Sequence, residues 1–209
     1  MENNYFYINK NSISEELCKT IRDMFDFDNN KYEGVTHGGL NKNIKDTQDL
    51  VIPNTPNKTG FDKWSKIHKF LEKELAKNTK EYVKILDDLV VKNHEKENTN
   101  SEYTTFGNVL SNESFMVQRY TKQKGRYIYH NDFHSDYGNQ KYRVITYLWY
   151  LNTVEEGGET EFWGTHTVKP ETGKLLLFPA SWTFTHRCKI PISHDKYIIT
   201  GWLYVNEKS

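Results

Sequence analysis

The chain has little cysteine, little proline and no excess of charge of either sign. Its 209 residues include 2 cysteines and 5 prolines, and its 28 basic residues are balanced by 28 acidic ones. A formal net charge of zero argues against a protein that holds nucleic acid through its phosphates. Cys18 and Cys188 are far apart and form no C-x-x-C pair, so two buried thiols are a simpler interpretation than a disulfide.

Long apolar runs are also missing. No run approaches the roughly 18 residues that a membrane-spanning helix needs, and the first ten residues lack the pattern of a secretory signal. We therefore expect no membrane contact and a location in the cytoplasm or elsewhere inside the cell. Hydrophobic residues make up 36% of the chain and charged residues 27%, which is typical of a globular protein rather than a disordered one.

The first half of the chain predicts two helices. Ser12 and Ser14 offer N-caps for a helix whose apolar residues follow at helical spacing as far as Phe25. A second apolar stripe runs from Phe61 to about residue 91, and we expect it to bend or break at Asn78-Thr79. Residues 31–60 predict one or two strands joined by loops, and residues 92–104 predict an exposed loop.

From residue 105 onward, short apolar and aromatic runs alternate with turn signals. The runs cover 114–120, 126–133, 142–152, 159–168, 174–179, 182–186 and 196–205. Many short strands at this spacing are typical of an all-β sandwich or barrel. We expect an α+β protein with one domain over residues 1–209. In it, a helical support region (1–104) packs against one sheet of a β core (105–209).

Two overlapping pairs of candidate metal ligands lie between Tyr127 and Asp136. They are His130 with Asp132 and His134 with Asp136, and residues two apart on a strand share a face. A third ligand is available much later, at His186. Two histidines and one carboxylate on one side of an ion form the facial triad of non-haem Fe(II) oxygenases.

Lys196 is a second unusual feature, because it begins the apolar run KYIITGWLYV. A buried ammonium without a partner is costly. A bound carboxylate would offset that cost, although a lysine at a strand end often extends its charged group to solvent instead.

Taken together, these segments carry a resemblance to a known family. Residues 114–205 resemble the catalytic domain of 2-oxoglutarate/Fe(II)-dependent dioxygenases of the prolyl 4-hydroxylase family. The matching segments come in the order of the family: 118–120 (QRY), 125–132 (GRYIYHND), 142–152 (YRVITYLWYLN), 155–162 (EEGGETEF), 173–179 (GKLLLFP), His186 and 196–202 (KYIITGW). The resemblance implies a double-stranded β-helix, which is a jelly roll of two sheets.

The resemblance also implies the ligands of the iron. His130, Asp132 and His186 match the three metal-binding, catalytic positions of the family. The family spacing G-x-Y-x-x-H-x-D selects the first of the two candidate pairs. It leaves His134 and Asp136 on the following loop, beside the substrate or facing water.

A second set of positions matches the pocket for 2-oxoglutarate. Lys196 matches the base that pairs with the far carboxylate of this cosubstrate, and Thr160 and Tyr120 match groups that hydrogen-bond the same carboxylate. Relative to the usual pattern, one extra residue separates Tyr120 from the H-x-D motif. Arg143 and Trp202 match positions that line the pocket.

The resemblance implies that the chain hydroxylates a peptidyl residue, with proline as the first candidate, and that it releases succinate and CO2. The implied cofactors are Fe(II), 2-oxoglutarate and O2, with ascorbate as a further candidate. The implied partner is a proline-containing peptide or protein, not nucleic acid or membrane. Aromatic residues near the metal-bearing strands are candidates for the floor of a groove that holds an extended, proline-rich ligand: Tyr127, Tyr129, Phe133, Trp149 and Trp163.

Three alternatives keep parts of this interpretation. The first is a dioxygenase that acts on a small metabolite or a nucleic-acid base. The second is a binding module that keeps the barrel but has lost catalysis, which the presence of all three ligands and Lys196 disfavours. The third is a zinc hydrolase on the same ligands, which lacks an evident general base at suitable spacing.

Overall fold

The computed structural model describes residues 5–94, 104–106, 110–136, 138–139 and 141–206, without the side chains of 90–94 and 206. These residues include two helices, α1 (Glu15–Asp26) and α2 (Phe61–His94). Neither helix is long and apolar enough to cross a membrane. The strands are β1 (Tyr7–Asn9), β2 (Tyr32–Glu33), β3 (Lys45–Asp46), β4 (Gln48–Val51), β5 (Ser111–Asn112), β6 (Met116–Tyr120), β7 (Arg126–His130), β8 (Ser135–Asp136), β9 (Lys141–Tyr150), β10 (Thr160–Phe162), β11 (His166–Val168), β12 (Leu175–Pro179), β13 (His186–Cys188) and β14 (Lys196–Asn206).

The strands form two antiparallel sheets. The large sheet has the order β1-β12-β9-β14-β6-β4-β2, with β5 beside β14 and β8 beside β9. The small sheet has the order β11-β10-β13-β7-β3. Neighbours in these orders are mostly distant in sequence, as in a jelly roll, where the chain passes repeatedly from one sheet to the other.

The two faces of the large sheet bury different partners because side chains alternate along each strand. Tyr147 and Trp149 of β9 belong to a core cluster that includes Trp64 and Leu71 of α2. Leu148 and Tyr150 of the same strand belong to a second cluster, which they share with residues of the small sheet. The helices therefore cover one face of the large sheet, and the small sheet covers the other.

Helix α1 begins where the sequence indicates. Ser14 is its N-cap, and the Ser14 hydroxyl accepts a hydrogen bond from the Leu17 amide at 3.2 Å. The buried residues Cys18, Ile21 and Phe25 lie at helical spacing and face the large sheet. The helix is thus amphipathic and held by its buried face.

The predicted break at Asn78-Thr79 is wrong, because α2 continues through it. Asn78 is completely buried, and its side-chain carbonyl accepts hydrogen bonds from Tyr7 Oη at 2.9 Å and Asn9 Nδ2 at 2.8 Å. Its amide donates to Glu74 Oε1 at 2.8 Å. Asparagine has a poor intrinsic helix propensity, but here the tertiary hydrogen bonds to β1 outweigh it.

The region between the helices contributes strands to both sheets. β4 pairs with β6 in the large sheet, and β3 pairs with β7 in the small sheet. The predicted strand 182–186 is mostly wrong, since residues 182–185 are outside any strand and β13 begins at His186. Of the predicted loop 92–104, residues 92–94 end α2 and 95–103 lie outside the described residues.

Candidate active site

Two neighbouring strands of the small sheet present the predicted histidines to the interior between the sheets. His186 begins β13, and it stands directly opposite His130, the last residue of β7. Their ring centroids are 4.3 Å apart. Asp132 follows β7 by two residues, and its buried carboxylate accepts a hydrogen bond from Thr146 Oγ1 at 2.8 Å. The strand pairing therefore unites residues that are far apart in the chain.

The three side chains are placed to hold one metal ion. The distance from His130 Nε2 to Asp132 Oδ1 is 3.8 Å, and that from His186 Nε2 to Asp132 Oδ2 is 3.7 Å. One ligand atom from each residue lies within 4.8 Å of the others. Within the described part of the chain, this is the one group of three or more such side chains with that geometry.

Backbone carbonyls orient both imidazoles. His130 Nδ1 lies 2.8 Å from the Ile128 carbonyl oxygen, and His186 Nδ1 lies 3.0 Å from the Phe184 carbonyl oxygen. A carbonyl can only accept, so each Nδ1 carries the proton and donates it. Each Nε2 then keeps its lone pair for a metal, an arrangement common among metal-ligating histidines.

The charges of the triad also suit a divalent cation. Burial, reinforced by the nearby His186, lowers the pKa of His130 to about 4, so His130 is neutral near pH 7. Burial opposes the ionisation of Asp132, but His186, His130 and the Thr146 hydroxyl outweigh it and keep the pKa of Asp132 below its usual value. Two imidazoles and one carboxylate are the donor set of the facial triad, so these residues fit Fe(II).

A cavity of about 370 Å³ joins the triad to the other predicted pocket residues. Its walls include Lys196, Thr160 and Tyr120, together with Arg143 and Trp202. The Arg143 guanidinium lies 3.6 Å from the centroid of the Trp202 ring. All eight residues that the sequence singled out for the triad and the pocket therefore contact one space.

Lys196 lies in this cavity without a carboxylate partner. It is 1% exposed, and its Nζ donates to Cys188 Sγ at 3.2 Å. The ammonium lies 5.3 Å from the ring centroids of both Tyr120 and Tyr150. Among the described residues, no carboxylate lies within 4 Å of it. Burial raises the pKa of the Cys188 thiol, so Cys188 is neutral and leaves the charge uncompensated.

The sequence did not reveal Cys188, which lines the cavity, or Tyr150, which contacts the cavity residue Thr160 from behind. The Tyr150 hydroxyl donates to Thr160 Oγ1 at 2.8 Å, which leaves the Thr160 proton free to donate elsewhere. The alternation of side chains along β9 could have placed Tyr150 on the inward face, because it shares that face with Thr146. Cys188 shares an inward face with His186 in the same way.

A buried ion pair in the cavity wall was also missed. Lys45 Nζ and Asp49 Oδ2 are 2.6 Å apart, and both side chains are almost fully buried. Lys45 is on β3 and Asp49 is on β4, so the pair connects the two sheets beside the cavity. Neither residue belongs to a motif, and only the fold brings the pair to the site.

The small sheet contains a bulge between Tyr120 and the H-x-D motif. The pairing of β7 with β13 shifts register between His186, which faces His130, and Cys188, which faces Tyr127. Such a bulge inserts one residue and redirects the side chains beside it. Tyr127 and His130 consequently both line the cavity, with their rings stacked at 3.5 Å.

Other candidates lie elsewhere. The His134 ring stacks on His37 with centroids 4.9 Å apart, and Asp136 in β8 accepts a hydrogen bond from Asn139. Neither belongs to the metal-binding group. Trp149 is not part of a groove floor, because it is fully buried against the helices and donates to Ser12 Oγ at 3.0 Å.

Comparison with known proteins shows what the part of the chain that contains the site is similar to. The family model of the 2OG-Fe(II) oxygenase superfamily matches residues 115–204, which include the triad, Lys196, Thr160 and Tyr120. Residues 115–204 therefore carry the pattern of that superfamily's domain. Oxygenases of this superfamily use Fe(II), 2-oxoglutarate and O2, so the predicted enzyme class and these three cofactors are confirmed. No curated protein sequence gives a significant match to the chain.

Solved structures share the fold of this chain over nearly its whole length. A viral collagen prolyl hydroxylase from Paramecium bursaria Chlorella virus-1, in complex with 2OG, is 18% identical with a TM-score of 0.62, and the match covers 98% of each chain. A Trichoplax adhaerens prolyl hydroxylase, in complex with a peptide of hypoxia inducible factor, is 19% identical with a TM-score of 0.64, covering 97% of this chain and 84% of that one. A Pseudomonas putida prolyl-4-hydroxylase is 15% identical with a TM-score of 0.58, covering 97% and 94%. The predicted jelly-roll fold is confirmed.

Proposed function

We propose that this oxygenase hydroxylates a peptidyl residue, with proline as the first candidate. The observation that supports the proposal is that two features line one cavity. A metal-binding triad of His130, Asp132 and His186 and an uncompensated buried ammonium at Lys196 open into the same space. A dicarboxylate with a keto acid at one end matches both features, because one end would bind the metal and the other would meet Lys196.

The residues of the site take separate roles in this proposal. His130, Asp132 and His186 hold Fe(II), and Lys196 and Thr160 hold the far carboxylate of 2-oxoglutarate. When bound, Fe(II) with 2-oxoglutarate and O2 supplies the oxidation of a C–H bond, and succinate and CO2 are released. Tyr120, the third residue predicted for the far carboxylate, lines the same cavity, where its hydroxyl contacts Gln118.

Exposed aromatic side chains near the metal-bearing strands support a peptide substrate. Trp163 follows β10 and is 42% exposed, and Phe133 follows Asp132 and is 54% exposed. Phe133 also lines the cavity, so a peptide bound over its mouth would contact this ring. The similar structures include an enzyme solved with a peptide, which agrees with this substrate class. Three earlier expectations stay predictions: that the protein binds neither nucleic acid nor membrane, that it is located inside the cell, and that it uses ascorbate.

The test is a hydroxylation assay on a peptide library. The protein is loaded with Fe(II) and 2-oxoglutarate without oxygen, mixed with proline-containing peptides, and then exposed to O2. We expect mass spectrometry to detect one added oxygen atom on a peptide, with succinate formed in equal amount. His130→Ala should abolish both products, whereas the matched control His134→Ala should retain them. Product from His130→Ala, or loss in His134→Ala alone, would contradict the assignment.

Trp163→Ala tests the peptide surface separately from the chemistry. We expect the KM for the peptide to rise several-fold, while turnover of 2-oxoglutarate in the absence of peptide stays the same. A control is Phe27→Ala, because Phe27 is 84% exposed at the end of α1 and is not among the residues lining the cavity. An unchanged KM in Trp163→Ala would remove Trp163 from the peptide surface.

A further inference from the structure

A row of buried polar side chains crosses the large sheet beside the cavity. Asp49 of β4 stands opposite Gln118 of β6, and Tyr120 follows two residues later on the same face. Asp49 is 1% exposed, and Gln118 and Tyr120 are also buried. On the far side, Tyr120 stands opposite Lys196 of β14. The row therefore connects the Lys45–Asp49 ion pair to the Lys196 end of the cavity.

Asp49 determines which way the Gln118 amide points. The Asp49 carboxylate, paired with Lys45, can only accept hydrogen bonds. It accepts from Thr47 Oγ1 at 2.7 Å and from Gln118 Nε2 at 3.3 Å. A reversed amide would bring the Gln118 oxygen against the carboxylate, two acceptors without a proton between them. The charge of Asp49 therefore turns the Gln118 oxygen toward Tyr120.

The orientation of Gln118 then determines the polarity of the Tyr120 hydroxyl. Gln118 Oε1 lies 3.0 Å from Tyr120 Oη, so the hydroxyl is the donor in this hydrogen bond. A phenol has one proton, and here that proton is used on Gln118. Toward the rest of the cavity, the Tyr120 oxygen can offer only lone pairs.

We propose that Asp49, acting through Gln118, makes Tyr120 a hydrogen-bond acceptor toward the cosubstrate pocket. Tyr120 is then a wall of the pocket and not a donor to the far carboxylate of 2-oxoglutarate. The donors available to that carboxylate are the Lys196 ammonium and the Thr160 hydroxyl, since Tyr150 already donates to Thr160. Asp49 is a positioning residue for this end of the cavity. The inference rests on the proposed use of 2-oxoglutarate.

The test is a double-mutant cycle on 2-oxoglutarate affinity, measured by calorimetry on Fe(II)-loaded protein without oxygen. Tyr120→Phe in the natural background should change the Kd by less than about threefold, because no donor is lost. Asp49→Asn lets the amide reverse and frees the Tyr120 proton. In the Asp49→Asn background, Tyr120→Phe should then weaken binding on the order of tenfold, as expected for a hydrogen bond to a charged group.

The cycle separates this relay from a simple charge effect. Without the negative charge of Asp49, the pocket attracts any anion more strongly. That gain in affinity would be the same whether residue 120 is Tyr or Phe. Equal effects of Tyr120→Phe in both backgrounds, or a loss of tenfold or more in the natural background, would overturn the proposal. If the unaltered protein does not bind 2-oxoglutarate at all, the proposed function fails instead.

A second measurement needs neither Asp49→Asn nor 2-oxoglutarate. The Raman bands of a tyrosine ring distinguish a hydroxyl that donates from one that accepts. The difference spectrum between the unaltered protein and Tyr120→Phe isolates Tyr120 from the other tyrosines. We expect the signature of a donating hydroxyl in the cosubstrate-free protein. The signature of an accepting hydroxyl in the free protein would overturn the proposal.

Discussion

Lys196→Met should stabilise the empty protein and at the same time weaken the binding of 2-oxoglutarate. Lys196 is buried between the rings of Tyr120 and Tyr150, and its closest polar contact is the neutral thiol of Cys188. Methionine has a similar length and no charge, so it can fill the same space between the rings. The two opposite effects follow from one feature, an ammonium that lacks its counter-ion until the cosubstrate binds.

The sizes of the two effects can be worked out separately. Burying an ammonium costs several kcal/mol, and each of the two ring contacts returns about 1–2 kcal/mol. The balance leaves a gain in unfolding free energy of about 1–3 kcal/mol when the charge is removed, within the range found for replacing buried charges by apolar residues. On binding, a far carboxylate that loses its charged partner costs about 3 kcal/mol, or about 150-fold in the Kd.

The assays are urea unfolding of the metal-free protein and calorimetric titration of the Fe(II)-loaded protein with 2-oxoglutarate. Lys174→Met is the matched control, because Lys174 is also buried but forms an ion pair with Glu171 at 2.8 Å. Lys174→Met should lower stability and leave the Kd unchanged. The reasoning would be refuted if Lys196→Met lowered stability as Lys174→Met does, or if its Kd for 2-oxoglutarate were unchanged.

Two further predictions concern the stability of the scaffold. Glu161 accepts hydrogen bonds from Lys189, Tyr129 and Arg187, which lower its pKa to about 2. This value is below the pKa of an unfolded glutamate. The ionised Glu161 side chain therefore stabilises the fold fully above about pH 4.5, and this stabilisation is lost as the pH falls toward 2. Urea unfolding between pH 6 and pH 3 should therefore show a smaller loss of stability in Glu161→Gln than in the unaltered protein, and equal losses would contradict the pairing. Asn78→Ala should lower the unfolding free energy by about 1–3 kcal/mol, because the half-buried Asn9 amide loses its acceptor, while the Tyr7 hydroxyl keeps a second acceptor in Glu81 Oε2 at 2.6 Å. By contrast, Asn57→Ala on the surface should change it by less than about 0.5 kcal/mol.

Most residues of the site could be predicted from the sequence, because strand periodicity and motif spacing indicate them. The run that begins at Lys196 predicted β14, and the spacing of the H-x-D motif selected His130 and Asp132 rather than His134 and Asp136. Alternation along a strand also explains why Lys196 points into the cavity while the neighbouring Tyr197 packs against α1. These features are local, so a single sequence can show them.

The features that were missed depend on tertiary partners. Asn78 lies within a helix because residues of β1, about seventy positions earlier, hydrogen-bond to its side chain. The two-residue strands β2 and β3 exist because longer strands offer edges to them, and no periodicity can be read from two residues. Lys45 and Asp49 read as surface charges in a polar segment, yet the fold places them in the wall of the cavity.

The central claim is that the triad and Lys196 form one site for a metal-bound dicarboxylate. It is tested most directly by measuring the affinity for 2-oxoglutarate with and without Fe(II), in the absence of oxygen, for the unaltered protein, His186→Ala and Lys196→Met. We predict that Fe(II) tightens binding in the unaltered protein and in Lys196→Met but not in His186→Ala, and that Lys196→Met is weaker throughout. Equal affinity with and without Fe(II) in the unaltered protein, or a full effect of Fe(II) in His186→Ala, would contradict the claim.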